Sequence, residues 1–175
     1  MLDAAIFAPP ATPSVQPLPH RAIVSVAAFK GQIPALCAAL GVDLPATPRR
    51  IVSSGTAWLW SGPAAWLAMS GAPDLYETLA GRAASLAAVT DQSDGRFLVS
   101  VSGPHARKIL AKLVPIDLHP SVFPPDATAL TLAAHIGVQL WQEEDQKFVI
   151  ACFRSFGPAL HHAFIEAASE FDARG

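Results

Sequence analysis

Two successive passages of this 175-residue chain repeat one order of elements, and that order restricts the fold more than any single motif. Ala22 to Ala28 (AIVSVAA) is apolar and rich in β-branched residues, which reads as a strand. Gly31 opens a helix whose Ile33, Leu36, Cys37 and Leu40 keep helical spacing until Gly41 stops it. A hairpin follows, Trp58 to Trp60 and Ala65 to Met69 around Ser61-Gly-Pro-Ala64. Gly71-Ala-Pro73 starts a second helix with Leu75, Leu79 and Ala83 inward, and Leu86 to Thr90 leads out as a strand.

The same order returns further along. Phe97 to Val101 is a strand, and Gly103-Pro104 opens a helix carrying Ala106, Ile109, Leu110 and Leu113. Leu130 to Gln142 and Lys147 to Phe153 form a hairpin around the polar turn Glu143 to Gln146. Gly157-Pro158 begins a last helix with Leu160, Phe164, Ala167, Ala168 and Phe171 as its inner stripe. Val26 and Val101 stand 75 residues apart, Trp60 and Trp141 81 apart. The pattern is a doubled βαββα unit, which predicts an α+β fold of largely antiparallel sheets with helices on one side. The expected organisation is a Pro-rich arm over residues 1–20, then one domain of two pseudo-repeated halves, about 21–88 and 89–175.

Only 15% of residues are charged, against roughly 25% in a typical soluble domain. A surface short of charge suits a chain that buries part of its exterior against a partner. The net charge of −2 supplies no attraction for nucleic acid or an anionic membrane. No apolar run approaches the ~20 residues of a membrane span, and Met1 to Pro19 lacks the basic and apolar regions of a secretory signal. Cys37 and Cys152 are far apart in apolar surroundings, as expected of buried free thiols in a reducing cytoplasm.

Between the two elements of the second half runs Pro115-Ile-Asp-Leu-His-Pro-Ser-Val-Phe-Pro-Pro-Asp126. Four prolines in twelve residues exclude helix and central strand, yet Ile116, Leu118, Val122 and Phe123 need something to pack against. The loop either presents chemistry or is a stiff docking element clamped onto its own domain or onto another subunit. Asp117 and His119, two apart on extended chain, fall on one side, and Ser121 would complete a nucleophilic set. Against that, Asp117 is equally suited to accept backbone donors in a turn. His161 and His162 are adjacent on a helix and point about 100° apart, so they cannot share a metal ion. Val101-Ser-Gly-Pro-His105 has one glycine and not the three of a dinucleotide fingerprint. Arg154 and Ser155, at the end of an apolar strand, have a candidate counter-charge in Asp91-Gln-Ser93-Asp94, and Arg107 is a second cation. Trp141 and Phe123, if exposed, would serve as interface anchors.

Several of these stretches resemble the gamma subunit of heterotetrameric sarcosine oxidase: Val89 to Arg96, Val101 to Leu110, Pro115 to Pro120, Phe123 to Pro125, and Arg154-Ser-Phe156. Their order and spacing carry the likeness over about residues 85–171, with Asp126 where the pattern has glycine. The resemblance implies a fold of ferredoxin-like halves similar to the folate-binding domain of the glycine-cleavage T protein. It implies an auxiliary, non-catalytic chain that helps assemble and stabilise a cytoplasmic enzyme of alpha, beta, gamma and delta subunits. That enzyme demethylates sarcosine to glycine and passes the one-carbon unit to tetrahydrofolate. FAD, FMN, NAD and tetrahydrofolate then lie on other subunits, with none expected on this chain. Asp91, Ser93, Arg107, Asp117, Leu118, His119, Phe123, Arg154 and Ser155 become partner-facing or structural residues. An isolated chain is expected to self-associate through its docking face. The alternative is a stand-alone T-protein-like binder of folate or another small molecule.

Overall fold

A computed structural model describes residues 14–172 of the chain. The first thirteen residues, most of the expected arm, lie outside the described region. Strand β1 (Val15–Pro17) precedes β2 (Ala22–Ala28), α1 (Ile33–Leu40), β3 (Arg50–Ser53), β4 (Thr56–Trp60), β5 (Ala65–Ser70), α2 (Leu75–Arg82) and β6 (Ala87–Asp91). Then come β7 (Arg96–Ser102), α3 (Ala106–Ala111), β8 (Thr128–Ala133), β9 (Ile136–Glu144), β10 (Lys147–Phe153), a 3-10 turn (Arg154–Phe156) and α4 (Gly157–Asp172). These divide into two compact units, an N-terminal one of residues 20–95 and 126–128, and a C-terminal one of the remaining described residues. The division falls after Gly95, later than the expected boundary, because β6 pairs with β2 and stays with the first unit.

Each unit is a five-stranded sheet, β3-β4-β5-β2-β6 in the first and β1-β7-β10-β9-β8 in the second. The two orders superimpose, with β2 matching β7, β5 matching β10, β4 matching β9 and β3 matching β8. Each half is therefore βαβββα, one strand richer than the βαββα read from sequence. Strand β3 was hidden because Arg50 to Ser53 is short and begins inside a Pro-Arg-Arg run. Strands β8 and β9 read as one because Ala134 and His135, both at positive φ (48° and 65°), make a tight turn without glycine. Register also corrects the Trp60–Trp141 equivalence. Trp66 lies opposite Val26 and Trp60, while Phe148 lies opposite Val101 and Gln142, so Trp60 corresponds to Gln142.

The fifth position of each sheet is filled differently. In the N-terminal unit β6 follows α2 and closes the β2 edge. In the C-terminal unit β1, from residues expected to be an arm without a core, pairs antiparallel with β7. Val15 is fully buried there, and Leu18 N donates to Leu98 O at 2.9 Å. An unpaired sheet edge invites non-native pairing, and β1 occupies it.

In the N-terminal unit, Val24, Val26, Trp58, Trp66 and Ala68 meet Leu36 and Leu40 of α1 and Leu75 and Leu79 of α2. The residues between them on the strands, Ile23, Leu59, Leu67 and Met69, are buried as well. Coverage on both faces explains why these strands are continuously apolar and do not alternate. Helix α1 ends where Gly41 (φ 68°) lets its N–H and that of Val42 return to the Cys37 carbonyl. In the C-terminal unit Leu160, Phe164 and Ala168 of α4 and Ile109 and Leu110 of α3 are buried, as their spacing predicts. Gly157 lies against Phe97 so closely that an added Cβ would sit 2.6 Å from Cγ. Lys112 ties α3 to α4, with Nζ 2.9 Å from Ala167 O and 2.7 Å from Glu170.

Candidate functional site

Residues Pro115 to Pro125 of the loop are clamped onto their own unit, and Arg107 is the clamp. The Arg107 guanidinium donates through Nη1 to the carbonyls of Leu118 and Phe123, the latter at 3.5 Å, and through Nη2 to Gln142 Oε1 at 3.0 Å. Its Cζ lies 4.9 Å from the Phe148 ring centroid, and Phe148 stacks on Phe123 at 6.3 Å. A planar fork of donors can bridge two carbonyls and an amide where an ammonium cannot. The ion pair expected of Arg107 is thus replaced by carbonyl, amide and ring contacts. Leu118 and Phe123 are buried beneath the clamp, and Trp141 is only 1% exposed, so neither Phe123 nor Trp141 is an interface anchor. At its tip the loop shows His119, Pro120, Ser121 and Val122 to solvent, the last 58% exposed, and Pro115, Asp117 and Pro125 are exposed as well. Gln142 went unread in the sequence; a glutamine inside the apolar run of β9 was the available signal.

The geometry also decides the Asp117–His119–Ser121 set. Asp117 Oδ1 accepts from the His119 backbone N–H at 2.8 Å and does not orient the imidazole. His119 Nδ1 is 2.7 Å from Ser121 Oγ and 3.3 Å from Ser121 N, and the His119 carbonyl accepts from the N–H groups of Val122 and Phe123. Each polar group fixes the turn, all three residues are exposed, and no relay of carboxylate, imidazole and hydroxyl forms. The loop ends at Asp126, whose φ of 65° is the left-handed conformation that glycine adopts most readily. Aspartate tolerates it, and its carboxylate meets Arg50 Nη1 at 2.6 Å while Arg50 N donates to Asp126 O. Aspartate here keeps a glycine-like backbone geometry and adds an ion pair.

At the junction, Asp91 Oδ1 accepts from Ser93 N at 2.9 Å and Ser93 Oγ at 2.6 Å. The Ser93 hydrogen bonds hold the Asp91 carboxyl below its usual range. The carboxylate expected to answer Arg154 is committed to its own turn, and Ser93 Oγ also takes the Ile23 N–H. Arg154 and Ser155 sit in the 3-10 turn between β10 and α4, both exposed. Burial pushes the Cys152 thiol up to about 11, so it is an inert core residue, whereas Cys37 is only half-buried. Among the described residues no three His, Cys, Asp or Glu side chains gather to hold a metal, and no helix is long and apolar enough to cross a membrane. A surface cleft of about 330 Å³ in the N-terminal unit lies between α2, the end of α1 and the β3–β4 turn. Arg82, on its wall, donates to Ala39 O at 3.1 Å and so finishes α1.

The family model of the "Sarcosine oxidase, gamma subunit family" matches residues 25–170. The chain belongs to the sarcosine oxidase gamma-subunit family. It is 39% identical over 143 residues to the sarcosine oxidase subunit gamma of Corynebacterium sp. (strain U-96), covering 79% of this chain and 70% of the relative. It is 35% identical over 141 residues to the subunit gamma of an Arthrobacter sp., covering 78% and 70%. A chain of the heterotetrameric sarcosine oxidase from Corynebacterium sp. U-96, solved with pyrrole 2-carboxylate, matches with a TM-score of 0.83. That match is 34% identical over 90% of this gamma-family chain and 84% of the solved one. The glycine cleavage system aminomethyltransferase T from Bartonella henselae shares the fold alone, with a TM-score of 0.61 at 15% identity over 86% and 45% of the two chains. The T-protein-like fold stands.

Proposed function

We propose that this chain is the gamma subunit of a flavin-dependent sarcosine oxidase and acts by assembling and stabilising the alpha, beta and delta chains, without an active site of its own. The observation that carries this reading is the near full-length match to a chain of a heterotetrameric sarcosine oxidase. The loop supports it: its polar groups all serve to hold a rigid turn, and a rigid turn loses little entropy on docking. In this reading the complex oxidatively demethylates sarcosine in the cytoplasm, with FAD, FMN, NAD and tetrahydrofolate on the other subunits. The exposed residues His119 to Val122, together with Arg154 and Ser155, belong to the partner-facing or supporting surface. Co-expression of the alpha, beta and delta chains with and without this chain tests it. The expected result is a smaller yield of active enzyme and a lower melting temperature without it; an enzyme assembled, active and equally stable in its absence overturns the proposal.

A further inference from the structure

Four strands stand at sheet edges: β3 and β6 in one sheet, β1 and β8 in the other. An edge presents unpaired backbone groups, and proteins guard it with charge, proline or shortness. Strand β1 has Pro17, β3 is four residues long and begins at Arg50, and β6 ends in Asp91. Strand β8, Thr-Ala-Leu-Thr-Leu-Ala, has six residues with neither a charge nor a proline, and its Leu130 and Leu132 are 53% and 46% exposed. Both ends of β8 are fixed, because Thr128 N donates to Pro48 O at 3.2 Å and Ala134 N to Leu113 O at 3.0 Å. The first of these bonds sets the phase of the edge. Antiparallel pairing turns both backbone groups of a residue to one side and those of the next residue to the other. With the Thr128 N–H turned away from β9, Leu130 and Leu132 also aim their N–H and C=O groups outward. Pro48 to Arg50 cover the outward groups at residues 126–128, so the open edge is Ala129 to Ala133. That segment, Ala-Leu-Thr-Leu-Ala, reads the same in both directions.

We propose that the chain, when free of other subunits, pairs with a second copy of itself through β8, antiparallel about a two-fold axis at Thr131. A two-fold contact must be self-complementary, and a palindromic strand is so by construction. In this register Leu130 of each copy faces Leu132 of the other, Ala129 faces Ala133, and Thr131 faces itself. The two leucine positions are the ones with outward backbone groups, so each Leu130–Leu132 pair exchanges both of its hydrogen bonds, four in all. The four exposed leucine side chains gather on one face, and no charge on either strand opposes its own copy. A shift by one residue would set outward groups against inward ones, and larger shifts would lose one of the two pairs. The fixed ends of β8 reduce the entropy lost on pairing. Five residues a side bury less than the ~1,200–2,000 Å² of a stable complex, so the dimer is weak and reversible.

Sedimentation equilibrium of the isolated full-length chain tests this for wild type, L130P and L130K/L132K, with thermal melts to show that each variant is folded. Wild type is expected to be largely dimeric by about 100 μM. L130P removes only an outward donor, which an edge strand tolerates, and L130K/L132K sets like charges against each other across the axis. Each should weaken the dimer roughly tenfold or more. The register is read by T131C in a C37S chain, which mild oxidation with diamide should cross-link to its own copy, whereas V122C in the same background should not. Wild type monomeric at 100 μM overturns the proposal, as does a dimer unchanged in folded L130K/L132K or a T131C chain that dimerises without cross-linking. Monomeric wild type whose binding to the co-purified other subunits is lost in L130K/L132K would assign the edge to a different chain, and the proposal fails.

Discussion

At the scale of single residues, Arg107 and Asp126 each convert a local sequence choice into the shape of the loop. Replacing Arg107 by Met keeps the stem but leaves the Leu118 carbonyl and Gln142 Oε1 short of a donor, and a buried acceptor left unpaired costs about 1–3 kcal/mol. R107M is expected to lose about that much in urea denaturation, and R107K nearly as much, since an ammonium cannot reproduce the fork. At Asp126 the positive φ separates two substitutions. D126G loses the Arg50 ion pair but keeps the backbone conformation, whereas D126A loses the pair and adds left-handed strain of about 1 kcal/mol. Glycine should therefore melt above alanine; the reverse order would show that the left-handed backbone does not limit this position. The aspartate's carboxylate partner was not legible, because Arg50 is 76 residues away.

At the scale of elements, helix α4 carries two features that its apolar stripe did not announce. Its first residue, Gly157, fits only because no side chain is present beside Phe97. G157A is expected to destabilise by about 1–3 kcal/mol, as overpacking does, and shortening Phe97 to leucine in the same chain should recover part of it. His161 is fully buried, with neither ring nitrogen hydrogen-bonded and the Phe97 ring edge-on at 6.4 Å. Burial, and secondarily His162, lowers its affinity for a proton in the folded chain. The unfolded chain then takes up the proton first as the pH drops below about 6.5, so this residue's contribution is complete above that pH and is lost below it. Stability should fall by up to about 1.4 kcal/mol per pH unit on the acid side, and H161F should flatten that limb in denaturation series at several pH values. An adjacent His-His pair reads as polar from sequence, and only packing shows that one ring is inside and the other, His162, outside beside Glu166.

At the scale of the whole molecule, the doubled order of strand, helix and hairpin is the part of the fold that the residues themselves declare. Periodic apolar residues placed every helix, because helical spacing depends only on neighbours a few positions away. The extra strand of each half escaped for a local reason, a four-residue edge in one case and a glycine-free turn in the other. Strand β1 escaped for a non-local one: Val15 to Pro17 has a core only once β7 is beside it. A chain shortened to begin after Pro17 should lose the buried Val15 and expose the β7 edge, lowering stability by about 2–3 kcal/mol and raising its tendency to aggregate, read by urea melts and light scattering. The loop motif was legible as rigid, since proline fixes φ regardless of context. Whether its Asp-x-His pair did chemistry was not, because a catalytic set is defined by convergence of groups in space. Sequence by itself determined the fold class, the family and the stiffness of the loop, all of which follow from local spacing and order. Only the tertiary structure decided that Phe123 and Trp141 are core, that Arg107 and Gln142 hold the loop, and that Phe153 and Phe156 stay outside, because burial depends on residues distant in the chain.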